Sequence, residues 1–350
     1  MQPGKLWGMR RLADASGLFR MLAVDQRPPI KRLIAERRNQ DSAPYGDVCN
    51  VKALLVDELS KYASAALLDP HYAYPASIGL LSPAKGLLLT LEDSVFEETP
   101  GGRLSSEIDQ WSVEKIKRLG GDAVKVLAWY RPDAQPAVLA HQQGFVRRIG
   151  EACRRFDIPY VLELLVYPLP GEAELMADYV EDPDKRVEHV IESVETFAAA
   201  EFGVDLFKLE CPFPASTVPK RSNDNGSFQA GFDHLSRAAN RPWVMLSAGA
   251  TPDAFRRVLE YAYVAGASGY LAGRAIWWDA FQAFPDLDDM RHRLATESAP
   301  YMQELNRLTE VMATPWTGSS GMLGRTDLDV DGAEFRAAYP GMEAEWDTLQ

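Results

Sequence analysis

The sequence predicts an α/β fold, a single (β/α)8 (TIM) barrel with a C-terminal extension. Three observations carry this reading. Eight short apolar runs alternate with longer amphipathic segments. The most distinctive polar residue near the end of each run recurs about every 36 positions, the length of a βα unit. The first run is followed by Arg27-Pro28-Pro29, not by the glycine-rich turn of a doubly wound dinucleotide-binding sheet. At ~150 residues per domain the 350 residues would make two domains, but single barrels of about 250 residues break that rule. The expected division is a barrel over 1–314 and an extension over 315–350.

The runs are FRMLAVDQ (19–26), SAALLDP (64–70), GLLLTLE (86–92), AVKVLAWY (123–130), YVLELLVY (160–167), LFKLECP (206–212), WVMLSAG (243–249) and SGYLAGRA (268–275). Each is nearly continuously apolar, as in parallel strands buried on both faces. Helices are expected between them at 51–63, 112–120, 137–156 and 254–266. The last opens on Thr251-Pro252-Asp253, where Thr251 can cap and Pro252 takes the first turn. Residues 213–229, PFPASTVPKRSNDNGSF, read as a loop after the sixth strand, where barrels place substrate loops. A helix over about 285–313 closes the eighth unit, and the tail beyond it is expected to pack on the barrel or to be partly flexible.

Composition narrows the function. The chain is 46% hydrophobic and 25% charged, enough for a large core. A net charge of −13 without a Lys/Arg cluster argues against nucleic acid as a partner. The segment MQPGKLWGMRRLADASG lacks the apolar stretch of a signal peptide, and no run approaches the ~20 apolar residues of a membrane span. Three widely spaced cysteines fit a reducing compartment, so a cytoplasmic protein without a membrane partner is expected. The five histidines, His71, His141, His189, His234 and His292, never fall within five residues of one another. With no CxxC or HExxH pattern, neither a metal nor a cofactor is expected.

Three charges stand inside apolar strands: Lys125 between valines, Glu163 between leucines, and Lys208 between Phe207 and Leu209. Such residues must point into the barrel, where an unpaired charge costs several kcal/mol. A buried ion-pair network is one reading. Their place near the ends of three consecutive strands, where barrels do chemistry, favours another. A lysine near a second cation in a desolvated pocket has its pKa lowered, which frees the amine to attack a carbonyl. The carboxylate can then move protons on the bound substrate. This is the equipment for Schiff-base chemistry, and the residues alone leave open which lysine forms the imine.

The last two strands end in Ser247-Ala248-Gly249-Ala250 and in Gly273-Arg274. Small residues there admit backbone N–H groups to an anion, Arg274 can add a bidentate clamp, and barrels often bind phosphate at this place. Arg27, after Asp25 and Gln26, adds a cation beside it. Trp277-Trp278 read as packing or a subunit contact, and Cys211 as a core cysteine at a strand end. Glu210 shares strand parity with Lys208 and is expected to pair with it. Asp69 and Glu92 either orient Lys125 or Arg27 or are purely structural.

The stretches LAVDQR (22–27), ELSKYASAALLDPHYAYPAS (58–77), AVKVLAWY, LELLVY (162–167), LFKLECP, LSAG (246–249) and AGRA (272–275) resemble the class I tagatose-1,6-bisphosphate aldolases, in register from about residue 18 to about 312. The resemblance implies a metal-independent barrel that cleaves a ketohexose bisphosphate into dihydroxyacetone phosphate and glyceraldehyde 3-phosphate. It also implies Lys208 as the Schiff-base lysine, Glu163 as the proton-transferring carboxylate, and Lys125 as the neighbouring active-site lysine; as a nearby cation, Lys125 is expected to help hold Lys208 neutral. Asp25, Gln26 and Arg27 match first-strand substrate contacts; Ser247, Gly249 and Arg274 match phosphate positions, with Gly273 beside them. A homo-oligomer, dimer or higher, is expected. Pro28-Pro29, the 169–183 and 213–229 loops and the tail past 315 depart from the pattern, which leaves the sugar open. The alternatives are a sulfofructose-phosphate aldolase and a non-catalytic barrel that senses sugar phosphates.

Overall fold

All eight apolar runs form strands, β1 (Phe19–Ala23), β2 (Ala65–Leu68), β3 (Gly86–Thr90), β4 (Ala123–Trp129), β5 (Tyr160–Leu165), β6 (Leu206–Leu209), β7 (Trp243–Met245) and β8 (Gly269–Ala272). In this computed structural model they are all parallel and each pairs with its sequence neighbours, with β1 against β8 closing the barrel. The structure describes residues 1–169, 171–172, 182, 184–222, 226–319, 322 and 326–341. Most of the 169–183 loop and the chain end from 342 lie outside the described residues.

The expected helices form as Tyr45–Leu59, Val113–Arg118, Pro136–Arg155 and Pro252–Val264, and the Thr251 hydroxyl accepts from the Ala254 N–H as a cap should. One reading needs correction. The 213–229 segment is not loop throughout, because the helix Gly226–Ala239 begins within it. Phe228, Phe232 and Leu235 recur at helical spacing behind the polar start, and the Phe213 ring packs on Phe228 with centroids 4.8 Å apart. The helix expected over about 285–313 forms without a break from Leu287 to Met312, with a π-helical turn over Leu294–Ser298 between Leu287–Arg293 and Ala299–Met312.

The pleat divides the barrel interior into layers. At the N-terminal end lie Met21, Leu67, Leu88, Val161, Leu206, Val244 and Leu271, all apolar and buried. This end is closed by a helix not expected from the sequence, Pro3–Leu12, which adds Met9 and Leu12 to the cluster. The Asp157 carboxylate accepts the N–H groups of Gly4 (2.7 Å) and Lys5 (2.8 Å) at the first turn of this helix. Beyond residue 315, Trp316 and Met322 join the same cluster, and the Tyr339 hydroxyl donates to Asp157. The start of the tail therefore packs beneath the barrel, while most of the residues over 327–341 are exposed. At the other end, Leu127, Trp129, Leu165, Tyr167 and Leu246 form an upper apolar wall. The charged residues lie between the two.

Candidate active site

Register sets the geometry. Glu163 is the direct Cα partner of Lys208, so both side chains leave adjacent strands at one height. Lys125 pairs with Val161, two residues lower on β5, and its long stem brings the ammonium up to them. Lys208 Nζ donates to Glu163 Oε2 at 2.9 Å. Lys125 Nζ stands 2.7 Å from that same oxygen, 3.0 Å from Asp25 Oδ2 and 2.5 Å from Glu92 Oε1. All five residues are buried.

Burial alone would push the Glu163 carboxyl up, but Lys125 and Lys208 outweigh it and hold it below its ordinary range. Asp25 is held far below its ordinary range in the same way, by Lys125, Lys208 and Arg27 acting against burial. Lys125 stays charged: desolvation opposes its ammonium, and Asp25, Glu163 and Glu92 more than compensate. Lys125 stands beside Lys208 as a cation surrounded by three carboxylates.

These side chains open into one cavity lined by Asp25, Gln26, Arg27, Lys125, Glu163, Lys208, Ser247, Gly273 and Arg274, with Leu165 and Leu246 on its apolar side. Four of the lining residues are cations and two are carboxylates, so the barrel mouth is positive although the chain is acidic. After β7 the backbone turns through left-handed Ala248 (φ +44°) and Gly249 (φ +83°). The Arg274 guanidinium lies over Gly249, where an added Cβ would stand 3.6 Å from Cζ. Gly273 precedes the helix Arg274–Phe281 as its N-cap, so the partial positive charge of that helix end meets the cavity. Thus Ser247, Gly249, Gly273 and Arg274 come together as expected. Gln26 Oε1 and Asp25 Oδ1 are buried with no hydrogen-bond partner among the described residues.

Other expectations sort clearly. Glu92 does orient both cations: its carboxylate holds Lys125, and its carbonyl accepts from Arg27 Nη2 at 2.9 Å. Thr90 Oγ1 donates to its second oxygen at 2.5 Å. Glu92 is thus a fuller member of the cluster than the sequence reading made it. The signal was present, a carboxylate two residues past a threonine at the end of an apolar run. Asp69 orients neither cation; it pairs with buried Lys52 and accepts the N–H groups of His71 and Tyr72. Glu210 does not pair with Lys208. It binds Lys185 at 2.9 Å and accepts from the Val166 N–H at 2.7 Å. Cys211 and Trp277 are buried, and Trp278 is half-buried beside Trp277. Among the described residues no three His, Cys, Asp or Glu side chains are grouped to hold a metal ion, and no helix is long and apolar enough to cross a membrane.

Comparison with known proteins sets this barrel among the aldolases, lyases of carbon–carbon bonds. The model of the DeoC/LacD family aldolases matches residues 19–279, and the chain belongs to that family. It is 34% identical to the tagatose 1,6-diphosphate aldolase of Lactococcus lactis subsp. lactis, over 88% of this chain and 96% of the relative. The protein of the same name from Listeria monocytogenes is 32% identical, over 89% and 94%. Among solved structures, the fructose-bisphosphate aldolase of Plasmodium falciparum superposes with a TM-score of 0.60 at 13% identity, over 86% of this chain and 93% of that one. A Schiff-base-forming fructose-1,6-bisphosphate aldolase gives 0.54 at 16% identity, over 87% and 99%. At these identities the structures speak to the fold alone.

Proposed function

We propose that the protein is a class I aldolase that cleaves tagatose 1,6-bisphosphate into dihydroxyacetone phosphate and glyceraldehyde 3-phosphate through a Schiff base on Lys208. The observation that carries this is the carboxylate of Glu163, 2.9 Å from Lys208 Nζ, in a cavity that ends in an anion cradle. The names of the relatives support tagatose bisphosphate as the sugar.

In this reading the neutral Lys208 amine attacks the C2 ketone and water leaves, giving a protonated imine. Glu163, ionised at neutral pH, takes the proton of the C4 hydroxyl. The C3–C4 bond breaks, its electron pair moves into the imine to form an enamine, and the aldehyde departs. The enamine is protonated at C3, and water then hydrolyses the imine to release dihydroxyacetone phosphate and the free lysine. Lys125, kept charged by its carboxylates, contacts substrate oxygens. Asp25, Gln26 and Arg27 would bind the sugar from β1. Ser247, Gly249, Gly273 and Arg274 would hold the phosphate of the dihydroxyacetone end.

The presence of Lys208 and Glu163 argues against a non-catalytic sensor, and no observation in the site favours a sulfonated sugar. We further infer a cytoplasmic homo-oligomer that binds no nucleic acid; the charge of −13 supports the last point, and the oligomer rests on the family resemblance. A panel of tagatose, fructose and sulfofructose phosphates, read by released dihydroxyacetone phosphate, tests the substrate. Tagatose 1,6-bisphosphate should give the highest kcat/KM, unchanged by EDTA. Loss on chelation with recovery on zinc would end the Schiff-base reading.

A further inference from the structure

The end of β1 is held in an unusual way. Its ladder with β8 runs to Leu22 opposite Ala272. The next two carbonyls are taken by side chains: Trp277 Nε1 donates to the Ala23 carbonyl at 3.0 Å, and Lys52 Nζ to the Val24 carbonyl at 2.8 Å. Trp277 is fully buried and is not among the residues lining the cavity. It stands one turn into the helix Arg274–Phe281, whose N-cap is Gly273. The junction is tight as well as bonded. A Cβ on Gly273 would lie 2.5 Å from the Ala23 carbonyl oxygen, 3.0 Å from Gln26 Nε2 and 3.1 Å from Trp277 Nε1. The end of β1, Gly273, Gln26 and the indole therefore meet at one point. Two residues past the end of β1 at Ala23 is Asp25, bound to Lys125; one residue along from Gly273 is Arg274, in the anion cradle.

We propose that Trp277 is a positioning residue for the reaction. Its indole N–H fastens the end of β1 to the junction of β8 with its helix, and so sets the distance between the anion cradle and the Lys125–Glu163–Lys208 cluster. This rests on the Schiff-base reading above. A substrate held at its phosphate presents its ketone to Lys208 only if that distance is right, and a 1 Å misplacement can cost ~10²-fold in rate. A substrate without the phosphate is indifferent to the distance.

The test compares borohydride trapping by dihydroxyacetone phosphate and by dihydroxyacetone on one preparation, so that any inactive fraction cancels. Trp277→Phe keeps a ring and removes the donor. The expected result is a fall of about 10-fold or more in the trapping advantage of the phosphorylated ketone, with its affinity within about 3-fold of the parent and dihydroxyacetone trapping little changed. Replacement of Trp277 by β-(3-benzothienyl)alanine, which keeps the shape of the ring system and lacks only the N–H, should lower the same ratio, and decides the matter if Trp277→Phe does not fold. An unchanged ratio, or equal loss for both ketones, would overturn the proposal and leave Trp277 a packing residue. Absence of any adduct on the parent protein would instead overturn the Schiff-base reading itself.

Discussion

Leu206 and Lys208 sit two residues apart on the same strand and face the same interior, yet they belong to different parts of the molecule. Leu206 joins the lower layer, an apolar cluster with Val161, Val244, Leu271 and the plug residues Met9, Leu12 and Trp316. Burial there stabilises at about 25 cal/mol per Å² of apolar surface. Lys208 joins the upper layer, where the same pleat buries Asp25, Lys125 and Glu163. Desolvating those charges opposes folding, and pairing only offsets the cost. Apolar residues of similar volume would fill the upper layer at least as well, so packing does not explain the charges there. The comparison separates residues kept for stability from residues kept for chemistry within one continuous interior.

The largest expected effect is on turnover. Lys208→Ala should lower the rate of dihydroxyacetone phosphate release by about 10⁴-fold or more, since the imine cannot form. Its melting temperature should stay near that of the parent, because Lys125 still faces Glu163. A large loss of stability would break the division between the layers.

Lys125→Met should combine both kinds of effect. It leaves the carboxylates of Asp25 and Glu92 buried without their cation, at a cost of about 3–5 kcal/mol near pH 7. In the parent, Asp25 and Glu163 have depressed folded pKa values, so their stabilisation is present above the ordinary carboxylate range and is lost as pH falls through the folded values. In the variant, burial instead pushes Asp25 up, and the folded state takes up its proton before the unfolded state does. The gap in melting temperature between variant and parent should therefore narrow as pH is lowered from 7 towards 5. A gap that stays constant would show that Lys125 does not stabilise through these carboxylates.

Leu206→Ala is the mirror of the lysine change. It should cost about 2–5 kcal/mol in denaturant unfolding, with kcat per folded molecule within about 2-fold of the parent. The smallest effect sharpens the map within the upper layer. Arg274→Ala should weaken dihydroxyacetone phosphate binding by about 1.5–3 kcal/mol in calorimetry, whereas Lys208→Ala should bind it nearly as well as the parent before chemistry. Equal affinity of the Arg274→Ala variant and the parent would remove the phosphate from β8.

The upper layer was more legible in the sequence than the lower closure was. Strands buried on both faces leave continuous apolar runs, and a lysine or glutamate inside one is conspicuous whatever surrounds it. Strand parity located Lys125, Glu163 and Lys208 but did not name their partners. It misled at Glu210, which lies just past the last residue of β6, where the pleat no longer dictates direction, while Asp69, just past β2, takes the structural one of its two readings. Asp69 instead meets Lys52 from the helix Tyr45–Leu59, a contact that no local pattern announces. The plug helix Pro3–Leu12 was hidden because PGKLWGMRRL shows few apolar residues, and it is anchored from far away by Asp157. The hairpin of Glu97–Thr99 with Gly102–Leu104 was unforeseen, being two strands of three residues each with little apolar signal.

The central claim is that, of two buried lysines sharing one carboxylate oxygen, Lys208 forms the imine. Reduction with borohydride in the presence of dihydroxyacetone phosphate, followed by peptide mapping by mass spectrometry, reads this directly. The account predicts a three-carbon phosphate adduct on Lys208, absent from Lys208→Ala and retained in Lys125→Ala. An adduct on Lys125, or none on either lysine, would contradict it.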